Sequence, residues 1–282
     1  MRRRRLPCGE RERATLPTDP TRHPCGRPRR SCPPAGPNSP AAHGGSETQR
    51  PSSWMVSLQT AQSDHHCGGA LIASQWVLTA AHCVLQPGDT PGAPPKVRTP
   101  DQVRIGSLKE SSGGTVSGVD SVYPHPTAQF TSEESGVITF SGTDLALLKL
   151  DKPVPNEPIG LAKSTPDIGD PMRLLGWGAT GEDANGDPIR PESLREVTLP
   201  VTSFDESKRL VLSNDQERGA NRGDSGGPAV VPTRHGWKLA GITNSAGSED
   251  GVWNSYYTDP TLSKEWIRQT SGNASTKTQK AP

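Results

Sequence analysis

From Ser53 onward the chain is written in short apolar runs, separated by clusters of glycine, proline, serine and aspartate. That punctuation points to an all-β fold built from short strands. Residues 54–58, 70–72, 76–79, 102–105, 145–150, 172–175, 195–199, 229–231 and 238–242 are each expected to form a strand. Only residues 262–270 carry a helical pattern, with Leu262, Trp266 and Ile267 on one face. The 30 glycines and 29 prolines supply the turns. No run approaches the roughly 20 apolar residues of a membrane span, so no membrane partner is expected.

The first 42 residues fall outside this pattern. They hold ten arginines against three acids and almost no β-branched or aromatic residues. Such a segment buries too little apolar area to offset chain entropy and is expected to be disordered. Residues 2–5 resemble the charged start of an export signal, but no apolar stretch follows. Three readings stay open: a misassigned start or non-native leader, a pro-segment, or a basic nucleic-acid arm without stacking aromatics. Cys8, Cys25 and Cys32 have no metal-site spacing and receive no role. The remaining residues carry 21 basic against 27 acidic side chains, a net −6. With no basic stripe, nucleic acid is not an expected partner of the body. The proline-rich stretch 151–158 reads as a linker between a half at 43–155 and a half at 156–270. A polar tail, 271–282, follows, and its Asn273-Ala274-Ser275 matches a glycosylation sequon.

Three stretches carry chemistry. Thr79-Ala80-Ala81-His82-Cys83 delivers a histidine at the end of an apolar strand. Asp144-Leu145-Ala146-Leu147-Leu148 sets a carboxylate at the mouth of another, and Gly223-Asp224-Ser225-Gly226-Gly227-Pro228 sets a serine among glycines. A serine hydroxyl is too weak an acid to ionise near neutrality. It needs an imidazole to take its proton, and that imidazole needs a carboxylate to fix its tautomer. Singly, each stretch has a plainer reading: a rim histidine, a turn aspartate, a glycine-rich turn.

Together with Cys67-Gly68-Gly69-Ala70-Leu71-Ile72, and in this order, the three stretches closely resemble the chymotrypsin-like (trypsin-family) serine peptidases. The resemblance spans about residues 44–269 and includes residues 54–58, Gly176-Trp177-Gly178 and Gly251-Val252-Trp253. It implies two six-stranded antiparallel β-barrels with a short C-terminal helix. The first barrel would carry His82 and Asp144, the second Ser225. It further implies His82 as general base, Asp144 as its orienter, Ser225 as nucleophile, and the N–H groups of Gly223 and Ser225 as oxyanion hole. Asp224 matches the carboxylate that pairs with the ammonium freed by activation cleavage. Cys67 and Cys83 match a disulfide that staples the histidine loop, which implies an oxidising, extracytoplasmic compartment and a secreted protein. The implied partners are protein or peptide substrates and protein protease inhibitors, for a monomer with no cofactor and no metal.

The chain departs from that family in three places. Ala42-His43-Gly44-Gly45 stands where the mature terminus usually reads Ile/Val-Val-Gly-Gly. Asn221 replaces a cysteine, and no cysteine follows Cys83. Gly219 occupies the position of the aspartate that makes tryptic pockets basic-specific, with Asp215 and Glu217 nearby. Gly219, Asn221, Ser245 and Gly251 are therefore the expected pocket residues, favouring apolar or small side chains over basic ones.

His65 and His66 are adjacent on a strand and point to opposite faces, so they are read as strand residues on the leaving-group side, not as a metal pair. His125 is read as a loop residue. Two other functions compete. The Gly223–Gly227 stretch also fits the nucleophile elbow of α/β-hydrolases, but their order Ser, acid, His is not met. A non-catalytic protease homologue retained for binding is the alternative to a serine endopeptidase.

Overall fold

The computed structural model describes residues 45–272, apart from residues 134, 136 and 217. The arginine-rich leader with its three cysteines, the expected terminus near Ala42, Glu217 and the Asn273 sequon lie outside the described residues. All nine expected strands are present, joined by shorter ones that the sequence pattern did not single out.

The strands form two large antiparallel sheets. The first has seven, in the order Thr115–Ser117, Gln102–Ile105, Met55–Gln59, His65–Ala73, Trp76–Thr79, Ala146–Leu150 and Val119–Pro124. The second has eight: Ser46–Glu47, Arg195–Pro200, Pro171–Gly176, Pro228–Thr233, Gly236–Glu249, Val252–Thr258, Leu210–Asn214 and Ser203–Phe204. No alternation of strand and helix exists among the described residues, which removes the α/β-hydrolase reading.

Burial explains the uneven strand patterns. Leu147 and Leu148 are both fully buried although they face opposite sides, so Ala146–Leu148 is covered on both faces and reads as an apolar run, with Lys149 reaching the surface to pair with Asp120. Met55, Val56, Leu71, Leu78 and Ile105 pack around it, and Trp177, Val230 and Ile242 extend this core toward the second sheet. A second core gathers Met172, Leu199, Leu210, Leu212 and Tyr257. Each fully buried Leu or Met contributes about 1.5–3 kcal/mol by leaving water.

The late helix is shorter than its pattern suggested. Asp259 Oδ1 accepts a hydrogen bond from the Thr261 N–H at 2.7 Å and caps a 3-10 turn, Pro260–Ser263. The α-helix proper runs Lys264–Thr270. Leu262, expected on its buried face, lies in the turn and is 62% exposed, whereas Ile267 is fully buried. No described helix is long and apolar enough to cross a membrane.

Candidate active site

Strand pairing brings the first two side chains together. Ala146–Leu150 runs antiparallel to Trp76–Thr79 with Ala146 opposite Thr79. The residues just before the first strand and just after the second must therefore leave the sheet at one end. His82, in the 3-10 turn Ala81–Cys83, and Asp144 are those residues. His82 Nδ1 lies 2.7 Å from Asp144 Oδ2, and the His82 backbone N–H donates to Asp144 Oδ1 at 2.9 Å. A carboxylate only accepts, so Nδ1 carries the proton and Nε2 keeps its lone pair. The expected disulfide, Cys67–Cys83, holds the turn that carries His82. It consumes the two sulfurs that would otherwise join His82 as a metal-ligand set.

Glycines let Ser225 approach this end. The Gly68 N–H donates to the Ser225 carbonyl at 2.7 Å, and a Cβ on Gly68 would sit 2.7 Å from Gly227 Cα. Gly226 has φ +74, and a Cβ there would strike Thr79 Oγ1 and the Gly68 carbonyl. Gly68 and Gly226 thus permit backbone contact between the two segments. Thr79 Oγ1 donates to the Gly68 carbonyl at 2.7 Å and tightens the junction. No hydrogen bond joins the Ser225 hydroxyl to His82.

Gly223 has φ +104, a conformation that disfavours any side chain. Among the described residues neither its N–H nor that of Ser225 donates a hydrogen bond. The Gly223 carbonyl faces His65: Nε2 lies 3.0 Å from it, and Nδ1 lies 2.8 Å from Ser57 Oγ. Because a carbonyl cannot donate, Nε2 holds the proton and Nδ1 accepts from Ser57. Burial lowers this imidazole to about 4, so it is neutral near pH 7.

Asp224 is buried beneath the same turn. Its oxygens accept from the N–H groups of Gly178 at 2.8 Å and Asn221 at 2.9 Å. Burial raises its carboxyl to about 6, against the opposing effect of those hydrogen bonds and of Arg190. Among the described residues it has no ion pair. Gly176 and Gly178 are required beside it, because a Cβ on either would fall on the carboxylate.

A family model for trypsin matches residues 42–267. The chain belongs to the trypsin family. It is a serine-type endopeptidase by that membership, acting on protein substrates. It is similar to a trypsin of Saccharopolyspora erythraea, 33% identical over 209 residues that cover 68% of this chain and 80% of the relative. It is also similar to Trypsin 5G1 of Aedes aegypti, 28% identical over 239 residues covering 78% of this chain and 80% of the relative.

Against the trypsin family pattern, the expected pocket residues separate. Gly219 has φ +151; a Cβ there would strike Ser255 Oγ and sit 3.0 Å from Trp253 Cδ1. Asn221, in place of the cysteine, donates from Nδ2 to the Ala179 carbonyl at 3.0 Å, so a hydrogen bond tethers the loop. Ser245 is exposed on Gly236–Glu249, and its hydroxyl donates to Asn244 Oδ1 at 2.9 Å. Gly251 lies apart from the other three. It sits at the exposed tip of the hairpin between Gly236–Glu249 and Val252–Thr258, with nothing within 4 Å of where its Cβ would be. Asp250 and Gly251 have φ +50 and +78, the two positive values of a tight type I′ turn. The residue that stands over Gly219 is Ser255, whose Oγ accepts from the Ala220 N–H at 3.1 Å. Trp253 Nε1 donates to the Ala220 carbonyl at 3.1 Å.

Several further residues surround the site. Asn244 Nδ2 donates to Asp144 Oδ2 at 2.6 Å. Ser57 orients His65, Arg190 donates to the His65 carbonyl at 2.5 Å, and Phe140 sets its ring edge-on to His82 at 6.3 Å. The Asp-Gly dipeptide at 250–251 was a readable hairpin signal that would have placed Ser255. Asn244 had no comparable signal.

Proposed function

We propose that the chain hydrolyses peptide bonds through Ser225, His82 and Asp144 by way of an acyl-enzyme. The observation that carries this reading is the 2.7 Å contact between His82 Nδ1 and Asp144 Oδ2. It leaves Nε2 unprotonated, with its lone pair available to act as base and Cys83 Sγ 3.8 Å away. Ser225 Oγ attacks the scissile carbonyl while Nε2 takes its proton. The tetrahedral oxyanion accepts from the otherwise unused N–H groups of Gly223 and Ser225, each worth about 3 kcal/mol in the transition state. His82 then passes the proton to the departing amine, leaving the Ser225 ester. Water, deprotonated by the same Nε2, hydrolyses that ester and restores the hydroxyl. Asp144 stabilises the imidazolium throughout.

Gly219, Ser255 and the Trp253 indole offer no formal charge to a side chain before the scissile bond. That supports uncharged, small or apolar residues at this position. The disulfide supports secretion into an oxidising compartment. Asp224, buried and with no ion pair among the described residues, supports pairing with a new terminal ammonium after cleavage upstream.

A labelled fluorophosphonate tests the assignment: it should modify the wild type and spare Ser225→Ala. Equal labelling of both would remove Ser225 from the reaction. The missing hydrogen bond between Ser225 Oγ and His82 favours a second reading, a non-catalytic binding homologue. Catalytic hydrogen bonds are often long before substrate arrives, so active-site titration decides. A stoichiometric burst means enzyme; no burst after N-terminal processing means binder.

A further inference from the structure

We propose that Arg209 is a positioning residue for the Asp144 carboxylate, acting through Asn244; the inference rests on the catalytic reading above. The two ends of the Asn244 amide are held by opposite chemistries. Nδ2 donates to Asp144 Oδ2 at 2.6 Å, the same oxygen that faces His82 Nδ1. Oδ1 accepts from Arg209 Nη1, also at 2.6 Å, and from Ser245 Oγ at 2.9 Å. The chain Arg209–Asn244–Asp144–His82 is therefore continuous.

An amide on a chain terminus can rotate by half a turn with little change in shape. Its two orientations differ completely in hydrogen bonding. Rotated, Asn244 would set its carbonyl oxygen against the Asp144 carboxylate and its NH2 against a guanidinium. Two favourable contacts would become two repulsive ones. Arg209 thus selects the orientation in which Asn244 donates to Asp144. Orientation is its main effect, because its charge is already paired: Nε donates to Asp205 Oδ2 at 2.6 Å, and the Arg209 backbone N–H donates to Asp205 Oδ1 at 2.8 Å. The guanidinium also lies 4.9 Å over the Tyr256 ring, which holds its plane.

With Asn244 in place, Asp144 accepts three hydrogen bonds, two from His82 and one from the amide. Loosening the amide frees Oδ2 to swing away from Nδ1. The consequence falls on the alignment of the imidazole, and so on kcat more than on KM.

The test is a double-mutant cycle on the processed protein with a peptide substrate. Arg209→Gln and Asn244→Ala should each lower kcat/KM about tenfold, chiefly through kcat. The double variant should be no slower than Asn244→Ala alone, and Arg209→Lys should recover part of the loss. A purely structural role would instead give additive losses, with no recovery by lysine, and would overturn the proposal. The NMR resonance of the His82 Nδ1 proton reads the same link without turnover. It should shift or broaden in Arg209→Gln and in Asp205→Asn, which loosens Arg209 without removing it. An unchanged resonance in folded variants also overturns the proposal. Wild-type protein that is inert to fluorophosphonate but whose resonance responds to Arg209→Gln would sink the catalytic reading and leave the positioning link standing.

Discussion

His82 and Asp144 meet at two points, Nδ1 on Oδ2 at 2.7 Å and the backbone N–H on Oδ1 at 2.9 Å. The second contact fixes the carboxylate to the turn, and the first fixes the imidazole to the carboxylate. Asp144→Asn should keep the fold and lose the chemistry. An amide can present NH2 to Nδ1, which then becomes the acceptor and moves the proton to Nε2. The expected fall in kcat is on the order of 10⁴, with the unfolding midpoint in urea little changed. Steady-state assays beside urea titrations check this, and activity within tenfold of wild type contradicts it.

His65 and Asp224 titrate in opposite senses. Burial lowers His65 from its ordinary 6.5 to about 4, so stability present above pH 6.5 is lost as pH falls toward 4. Burial raises Asp224 from 3.8 to about 6, so stability present below pH 3.8 is lost as pH rises through 6. Each contribution is on the order of 3 kcal/mol, and over pH 4–6 they largely offset. Asp224→Asn should expose the histidine alone. The variant should lose about 3 kcal/mol of stability between pH 6.5 and 4 relative to the wild type over the same interval. Urea unfolding of the unprocessed chain, in which Asp224 has no ammonium partner, measures it at four pH values; parallel curves for the two proteins contradict it.

The parts of the site that lie next to apolar strands were legible in the sequence. Thr79–Cys83 and Asp144–Leu148 announce themselves because each sets an ionisable side chain directly against an apolar strand, where it stands out. Gly223 was legible for a related reason, since a positive φ favours glycine; the backbone contact made by Gly68 and Gly226 was not, because it joins two segments far apart in the sequence. The pocket was not. Ser255 and Trp253 reach Gly219 and Ala220 across a hairpin whose register depends on the turn at Asp250-Gly251 and on an irregularity between Thr243 and Ser245. A shift of one residue there exchanges the faces of every side chain. Asn244 was hidden by the same irregularity. Strand Leu210–Asn214, short and polar at its end, likewise shows its purpose only through its partner Val252–Thr258.

Gly176 should tolerate no side chain although it lies in a strand. A Cβ there would fall on Asp224 Oδ1, whose two backbone hydrogen bonds hold the turn preceding Ser225. Gly176→Ala should cost about 3 kcal/mol by overpacking and by breaking those bonds. It should also slow fluorophosphonate labelling of Ser225. A control at Gly181, where an added Cβ meets nothing within 4 Å, should leave both nearly unchanged. Equal effects at the two sites would remove the steric argument.

If the pocket proposed around Gly219 is uncharged, an aspartate at position 219 is the change that should most simply make it basic-specific. Here the geometry opposes it. Gly219 has φ +151, where any L side chain is strained, and the new Cβ would strike Ser255 Oγ and press on the Trp253 ring at 3.0 Å. Ser255 is fully buried, and its Oγ already serves the Ala220 N–H, so it has no open space to move into. Gly219→Asp alone should therefore lower the melting temperature and leave cleavage after arginine or lysine undetectable. Pairing it with Ser255→Gly removes the obstructing hydroxyl, and should recover part of the stability, together with measurable cleavage after basic residues. Profiling both variants against peptide libraries decides the matter. A stable Gly219→Asp single variant that cleaves after arginine would show that Ser255 and Trp253 do not close the pocket floor.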